Sequence, residues 1–148
     1  MKTASGLLIT TFDFKDFLLF KRSLSVSSSG KYSVPGGMRK SDNSLERPLE
    51  TALREAQEEI GQIPFGKINP TPFEYVSPKG LHYFTFVLEI DLKTKRNYVL
   101  QLDREHDSYV WIKRNELSNY NLHQGLENVF SQIFTLCHNQ VVDNLYKS

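Results

Sequence analysis

Two rhythms of apolar residues run along the chain. "SGLLIT" and "DFLLFKRS" are compact runs bounded by polar residues, and they predict two short strands joined by a turn around Asp13 to Asp16. "SVSSSGK" reads as a polar loop, Tyr32 to Val34 as extended chain, "PGG" as a turn, and "MRKSDNSL" as a polar loop. The period then changes. Leu49, Ala52, Leu53, Ala56 and Ile60 fall on one stripe of a helix predicted from about Pro48 to Ile60. Pro48 suits a first helical position, where a missing N–H costs nothing, and Gly61 suits a left-handed cap beyond the end.

Downstream, "QIPFGKINPTP" is too rich in proline and glycine to be anything but loop. "FEYVSPKGLHYFTFVLEIDL" predicts two strands with a turn at Pro78 to Gly80. In the second of these, both alternating faces are mostly apolar, which marks a central strand covered on both sides. "KTKRN" reads as a basic turn, "YVLQL" as a short strand, and "DREHD" as a charged loop before the strand "SYVWI". From about Leu122 to Tyr146, the spacing of Leu126, Val129, Phe130, Ile133, Phe134 and Val141 is helical. No repeat or second unit is visible. The expected fold class is α+β, an α/β/α sandwich formed as one domain over residues 1–148.

Composition narrows the function. Eighteen basic and 17 acidic side chains leave a net charge of +1, so no global field points to nucleic acid or to a membrane surface. Any anionic partner must be held locally. No run approaches the roughly 20 apolar residues of a membrane span, and "MKTASGLLITTFDF" has too short an apolar run for a secretion signal. The one cysteine, Cys137, fits a reducing compartment and reads as a small apolar group on the last helix. A cytoplasmic location is expected.

The predicted 48–60 helix carries an unusual charge pattern. Glu55, Glu58 and Glu59 cluster away from the apolar stripe, within roughly 100° of one another, and are expected to face outward. Like charges at these spacings repel by roughly 0.2–0.5 kcal/mol per pair. Carboxylates at a helix C-terminus also oppose the macrodipole, and no basic residue follows at 62 or 63. A divalent cation would convert this repulsion into attraction. Hard Mg²⁺ favours carboxylate oxygens and keeps waters that a phosphate can replace.

These residues resemble the Nudix box, G-x5-E-x7-R-E-U-x-E-E-x-G-U, where U is a bulky aliphatic. "ERPLETALREAQEEIGQ" sets Glu46, Arg54, Glu55, Glu58, Glu59 and Gly61 in register, and "VPGG" precedes them. Three departures stand out. Eight residues separate Gly37 from Glu46 where the pattern has five, Ala56 replaces a larger aliphatic, and Gln62 stands at the last aliphatic position. The resemblance implies the Nudix fold, a mixed β-sheet flanked by the box helix and a C-terminal helix. It implies Mg²⁺, with Mn²⁺ as a substitute, bound by Glu55, Glu59, Glu58 and the Gly36 carbonyl. Arg54 would orient the acids, and Glu46 would pair with Arg54 or hold a metal-bound water.

"DREHDSYVWI" resembles a segment of several Nudix branches, including diadenosine polyphosphate and GDP-mannose hydrolases. It makes His106 and Glu105 competing candidates for the general base. Arg22 is placed to reach a phosphate, and Tyr32, His82 and Tyr83 are candidate substrate contacts, although alternation sends His82 and Tyr83 to opposite faces. Trp111 reads as core, His123 as a cap or neighbour of the last helix, and His138 as a helix-surface residue.

The function implied is hydrolysis of a nucleoside diphosphate linked to another group, with water attacking phosphorus. ADP-ribose, dinucleoside polyphosphates and nucleotide sugars are the substrate classes. A GDP-mannose-type glycosyl hydrolase and a non-catalytic nucleotide-binding module are the alternatives. Neither a membrane nor stably bound nucleic acid is an expected partner. Homodimers are common in the family, and an exposed strand or the aromatic surface is the candidate face for one.

Overall fold

The computed structural model describes residues 2–23, 29–40 and 45–147, with side chains through residue 137. The centres of the two predicted polar loops, and the side chains of His138 and Val141, lie outside the described residues.

The chain opens with β1 (Thr3–Thr11), turns through a 3-10 segment at Phe12–Phe14, and returns as β2 (Asp16–Arg22). Two short strands follow, β3 (Tyr32–Ser33) and β4 (Gly36–Met38), then helix α1 (Pro48–Ile60). β5 (Lys67–Ile68) and β6 (Phe73–Val76) lead to the long β7 (His82–Ile90). Helix α2 (Leu92–Asn97), β8 (His106–Lys113), a 3-10 segment at Arg114–Asn119 and helix α3 (Gln124–Lys147) complete the order.

β1 and β7 run parallel through the middle of the sheet, from Thr3 opposite His82 to Thr11 opposite Ile90. β2 pairs antiparallel with β1 on one side and with β8 on the other, while β5 and β6 both pair with β7. The sheet is thus mixed, and its two central strands are covered on both faces. One face buries Leu7, Ile9, Phe20, Phe86 and Leu88 against Ala52, Ala56 and Ile60 of α1. The other buries Leu8, Phe17, Leu19 and Val87 against Val129, Phe130 and Ile133 of α3. Each such aliphatic or aromatic side chain contributes about 1.5–3 kcal/mol of burial, so these layers hold the fold. Cys137 packs at the rim of the α3 layer, and Trp111 is partly buried at the rim of the α1 layer. Among the described residues no helix is long and apolar enough to cross a membrane.

Several local expectations change. "KTKRN" belongs to α2 rather than to a turn. Asp91 caps that helix by accepting the Thr94 N–H at 2.7 Å, and Lys95 and Arg96 complement the dipole in its last turn. "YVLQL" is not a strand. Tyr98, Leu100 and Leu102 pack on the α1 layer, while Gln101 N–H and Asp103 N–H donate to the terminal carbonyls of Ile60 and Glu59. The alternation that resembled a strand comes from docking against a helix end. The proline-rich segment contains β5, and the "PGG" glycines are not a turn. Gly36 to Met38 pair with β1 as β4, and neither glycine has positive φ. Gly61 does take positive φ, at 79°, but with ψ −136°, outside the left-handed helical region.

Candidate active site

The site begins where β4 passes under the last turns of α1. A Cβ on Gly36 would lie 2.5 Å from the Ser5 carbonyl oxygen, and one on Gly37 would lie 2.5 Å from the Glu55 carboxyl carbon. The two glycines are therefore required by close approach of backbone to strand and to carboxylate. That approach lets the Gly36 N–H donate to Glu59 Oε2 at 2.6 Å.

Arg54 gathers the outer acids. Its Nε and Nη2 donate to the two oxygens of Glu46 at 2.7 and 3.1 Å, a two-pronged contact of the kind guanidinium favours. Nη1 reaches Glu55 at 2.8 Å and Glu58 at 3.4 Å, and Nη2 also donates to the Met38 carbonyl at 3.1 Å. Glu46 accepts further bonds from Thr51 Oγ1 at 2.7 Å and from the Lys40 N–H at 3.1 Å. The Arg54 hydrogen bond, aided by Thr51 and Lys40, holds the Glu46 carboxyl down at about 2. Its bond to Glu46 likewise holds the Arg54 guanidinium firmly charged.

Glu59 is placed differently. The expectation that all three helix acids face outward fails here. Glu59 is 3% exposed, because it lies beside Ile60 on the sheet side of the last turn and β4 covers it. Burial first, then a hydrogen bond with Glu105 and the charges of Glu105 and Asp103, push its carboxyl up to about 10, against the opposing Gly36 N–H. Burial raises Glu55 as well, against its bond to Arg54. Among the described residues Glu59 has no ion pair with a basic side chain. One ligand atom each from Glu59, Asp103 and His106 lie within 4.8 Å of one another. Two closely set carboxyl groups and an imidazole nitrogen are donors that a divalent cation takes, so these residues fit such an ion.

Beside this cluster opens a cleft of about 460 Å³. Gly36, Gly37, Glu55 and Glu105 line its acidic end, and Arg22, Tyr83 and His123 line it elsewhere. His123 Nδ1 accepts the Gly125 N–H at 3.2 Å, and its ring meets Tyr83 edge-on at 6.3 Å. Burial, and then the charges of Arg22 and Lys31, lower the His123 pKa, so the ring faces the cleft neutral.

The other sequence-derived candidates lie apart from the cleft wall. Tyr32 packs edge-on against Tyr120, with ring centres 5.1 Å apart, because β3 sits over the α3 layer. His82 lies on the opposite face of β7 from Tyr83, stacked on Phe84 at 4.3 Å with Nε2 3.0 Å from Glu74. Glu58 is exposed at the rim, and among the described residues its ion pair is with Arg54. His106 is not in a solvated loop. It is the first residue of β8 and is 4% exposed, with Nδ1 3.3 Å from Asp103 Oδ1 and the ring tilted against Phe20. Since a carboxylate only accepts, Asp103 fixes the proton on Nδ1 and leaves Nε2 buried with no partner among the described residues. Burial lowers the His106 pKa, against the Asp103 contact.

Three contributors were not evident beforehand. Asp103 stands two residues before Glu105 in the "DREHD" run, and the acid spacing of that run was the available signal. Thr85, on the same face of β7 as Tyr83, also lines the cleft. So does Ser33, whose buried Oγ has no hydrogen-bond partner among the described residues, and neither residue had a signal in the sequence.

A family model described as NUDIX domain matches residues 2–133. The chain belongs to the NUDIX family, hydrolases acting on pyrophosphate bonds. The fold is similar to that of a Nudix hydrolase from M. Smegmatis, RenU, at 20% identity and TM-score 0.68, covering 93% of this chain and 86% of that one. It is similar to a C. elegans Ap4A hydrolase in a binary complex, at 18% identity and TM-score 0.64, covering 94% and 99%. It is also similar to the NUDIX domain of Shewanella oneidensis NrtR complexed with ADP ribose, at 15% identity and TM-score 0.68, covering 91% and 87%. A comparison with curated proteins found no match.

Proposed function

We propose that this chain is a Mg²⁺-dependent pyrophosphohydrolase that cleaves a nucleoside diphosphate linked to a second group, with water attacking phosphorus. The observation that carries the reading is the buried Glu59 carboxyl, held by the Gly36 N–H beside Glu105 and Asp103 at the end of a cleft. Glu55, Glu59 and the Gly36 carbonyl, with Asp103 beside Glu59, would hold the cation, which supplies charge withdrawal from the bridging diphosphate and a more acidic water. Arg54 holds Glu55 and Glu58 in place from behind and does not reach the cleft itself. Arg22 and Tyr83, which line the cleft, would contact phosphate and base, and neutral His123 would add a polar edge beside them. Glu105 lines the cleft and His106 does not, which favours Glu105 as the group that takes the proton of the attacking water. The similarity to an Ap4A hydrolase and to a domain complexed with ADP ribose supports substrates with two groups joined through phosphates.

The test is a panel of nucleotide derivatives incubated with Mg²⁺ or Mn²⁺ in oxygen-18 water, with products separated by chromatography. Label in a phosphate of the products, and turnover abolished by chelator, are expected. Label in a sugar, or binding without turnover across the panel, overturns the reading.

A further inference from the structure

The cleft has a second end, away from its acids. The starts of β1 and β7 lie side by side there, with Ala4 opposite Tyr83 and Gly6 opposite Thr85. By alternation these residues share the sheet face of Leu8 and Val87, which α3 covers. All of them line the cleft, as do His123 and Gly125 where α3 begins. A slot is thus left between the first turn of α3 and the starts of the two central strands. Ala4, Gly6 and Gly125 carry a methyl or no side chain, which keeps its floor low. Its wall is Tyr83, stacked on Tyr75 with ring centres 6.3 Å apart and met edge-on by His123. A low floor beside an aromatic wall suits a planar ring.

One polar atom in this slot has a fixed role. The His123 backbone is held on both sides, its N–H donating to the Tyr32 carbonyl at 2.9 Å and its carbonyl accepting the Glu127 N–H at 3.0 Å. Nδ1 lies 3.2 Å from the Gly125 nitrogen, and since a backbone N–H only donates, Nδ1 keeps its lone pair. Burial, and then the charges of Arg22 and Lys31, keep the ring neutral. Its single proton is therefore on Nε2, which has no acceptor among the described residues. That N–H donates and cannot accept. Thr85 adds a hydroxyl to the slot, but a hydroxyl rotates to donate or to accept and so discriminates little.

The phosphates are drawn to the cation at the acidic end, which leaves the slot for a base. The edge of a base farthest from its sugar carries a carbonyl in hypoxanthine, guanine and uracil, and an amino group in adenine and cytosine. A carbonyl there accepts from His123 Nε2–H. An amino group sets donor against donor and leaves both unpaired. We propose, on the reading above that the cleft holds a nucleotide, that the slot takes the base and that His123 Nε2–H selects a base with a ring carbonyl over its amino counterpart.

Calorimetric binding of nucleoside monophosphates to the full chain tests it. Inosine and adenosine monophosphate are the decisive pair, because their bases differ at that edge alone. The inosine compound is expected to bind about tenfold more tightly, and uridine monophosphate likewise over cytidine monophosphate. His123→Asn keeps an oxygen for the first turn of α3, since asparagine is a strong cap, but its shorter amide withdraws the donor. The variant is expected to bring each pair to within about twofold, while ribose phosphate, which has no base, binds both proteins alike. Thermal melts confirm that the variant is folded. Equal affinity for the inosine and adenosine compounds overturns the proposal, as does a preference that survives His123→Asn or a chain that binds none of these nucleotides. So does an equal loss for ribose phosphate, which would set the donor on a phosphate instead. A base preference without hydrolysis of any nucleotide derivative removes the catalytic reading and leaves the base selection standing, and hydrolysis without a base preference does the reverse.

Discussion

Gly36 N–H donates to Glu59 Oε2 across 2.6 Å, tying β4 to the last turn of α1 through a carboxyl that is 3% exposed. The bond orients the carboxyl without neutralising the charge crowded around it. Without a cation, burial and the nearby acids Glu105 and Asp103 keep Glu59 protonated.

The first prediction follows from the sign of that shift. The Glu59 pKa rises from 4.5 to about 10 in the folded protein. The folded state therefore holds its proton more tightly than the unfolded chain does. Stability from this group is complete below pH 4.5 and is lost as pH rises toward 10. Glu59→Gln keeps an acceptor for Gly36 and a donor for Glu105. In chelator at pH 8 to 9, it is expected to be more stable than the parent by on the order of 2 kcal/mol, while losing at least about a hundredfold in turnover. Thermal melts across pH, with and without Mg²⁺, check this. A parent protein as stable at pH 9 as at pH 5 in chelator would remove the protonated Glu59 from the account.

Glu46 has the opposite sign. Its pKa falls from 4.5 to about 2 through the Arg54 hydrogen bond and those of Thr51 and Lys40. Its contribution is present above pH 4.5 and is lost as pH falls toward 2. Glu46→Gln is expected to cost about 1 kcal/mol at pH 7 and to flatten the loss of stability between pH 4.5 and 2. Acid titrations followed by circular dichroism decide it, and superimposable acid transitions for the two proteins would contradict the Arg54 clasp.

The helix that carries these acids was legible because its stripe, Leu49 to Ile60, has the helical period, and its bounds agree with the structure. β7 was legible for a parallel reason, since both of its faces are apolar. What stayed hidden involves polar residues whose environment is set by distant chain. Glu59 reads as a surface acid until β4 covers it. His106 reads as a loop residue until β2 and Phe20 enclose it. Tyr98, Leu100 and Leu102 share the spacing of a strand, and only the free carbonyls at the end of α1 show why they dock there instead. That docking carries Asp103 and Glu105 to Glu59, so the second half of the site follows from tertiary contact rather than from local pattern.

Gly37 offers a test of positioning separate from charge. An added methyl there would meet the Glu55 carboxyl at 2.5 Å, with Arg54 holding that carboxyl from the other side. Gly37→Ala is expected to displace Glu55 and lower kcat about a hundredfold, the scale of a misplacement near 1 Å. Overall stability should change little, because Gly37 is not at positive φ. Steady-state kinetics beside a thermal melt separate the two effects, and unchanged kcat would show that Glu55 is not held where the reaction needs it.

The last prediction separates two neighbours that the sequence left as rivals. Glu105 lines the cleft and is hydrogen-bonded to Glu59, whereas His106 is enclosed, with its Nδ1 proton directed at Asp103. Removing a general base costs about 10²–10⁴-fold in rate, so Glu105→Gln should lose that much in kcat with little effect on stability. His106→Ala removes one of the two contacts to Asp103 Oδ1, leaving the Glu105 N–H, and opens a gap beside Phe20. It should lose about 1–3 kcal/mol of stability but less than about tenfold in kcat, measured where the variant is fully folded. Chemical denaturation supplies the first number and initial rates the second. A His106→Ala protein that is stable yet slowed a thousandfold would transfer the proton-accepting role from Glu105 to the histidine.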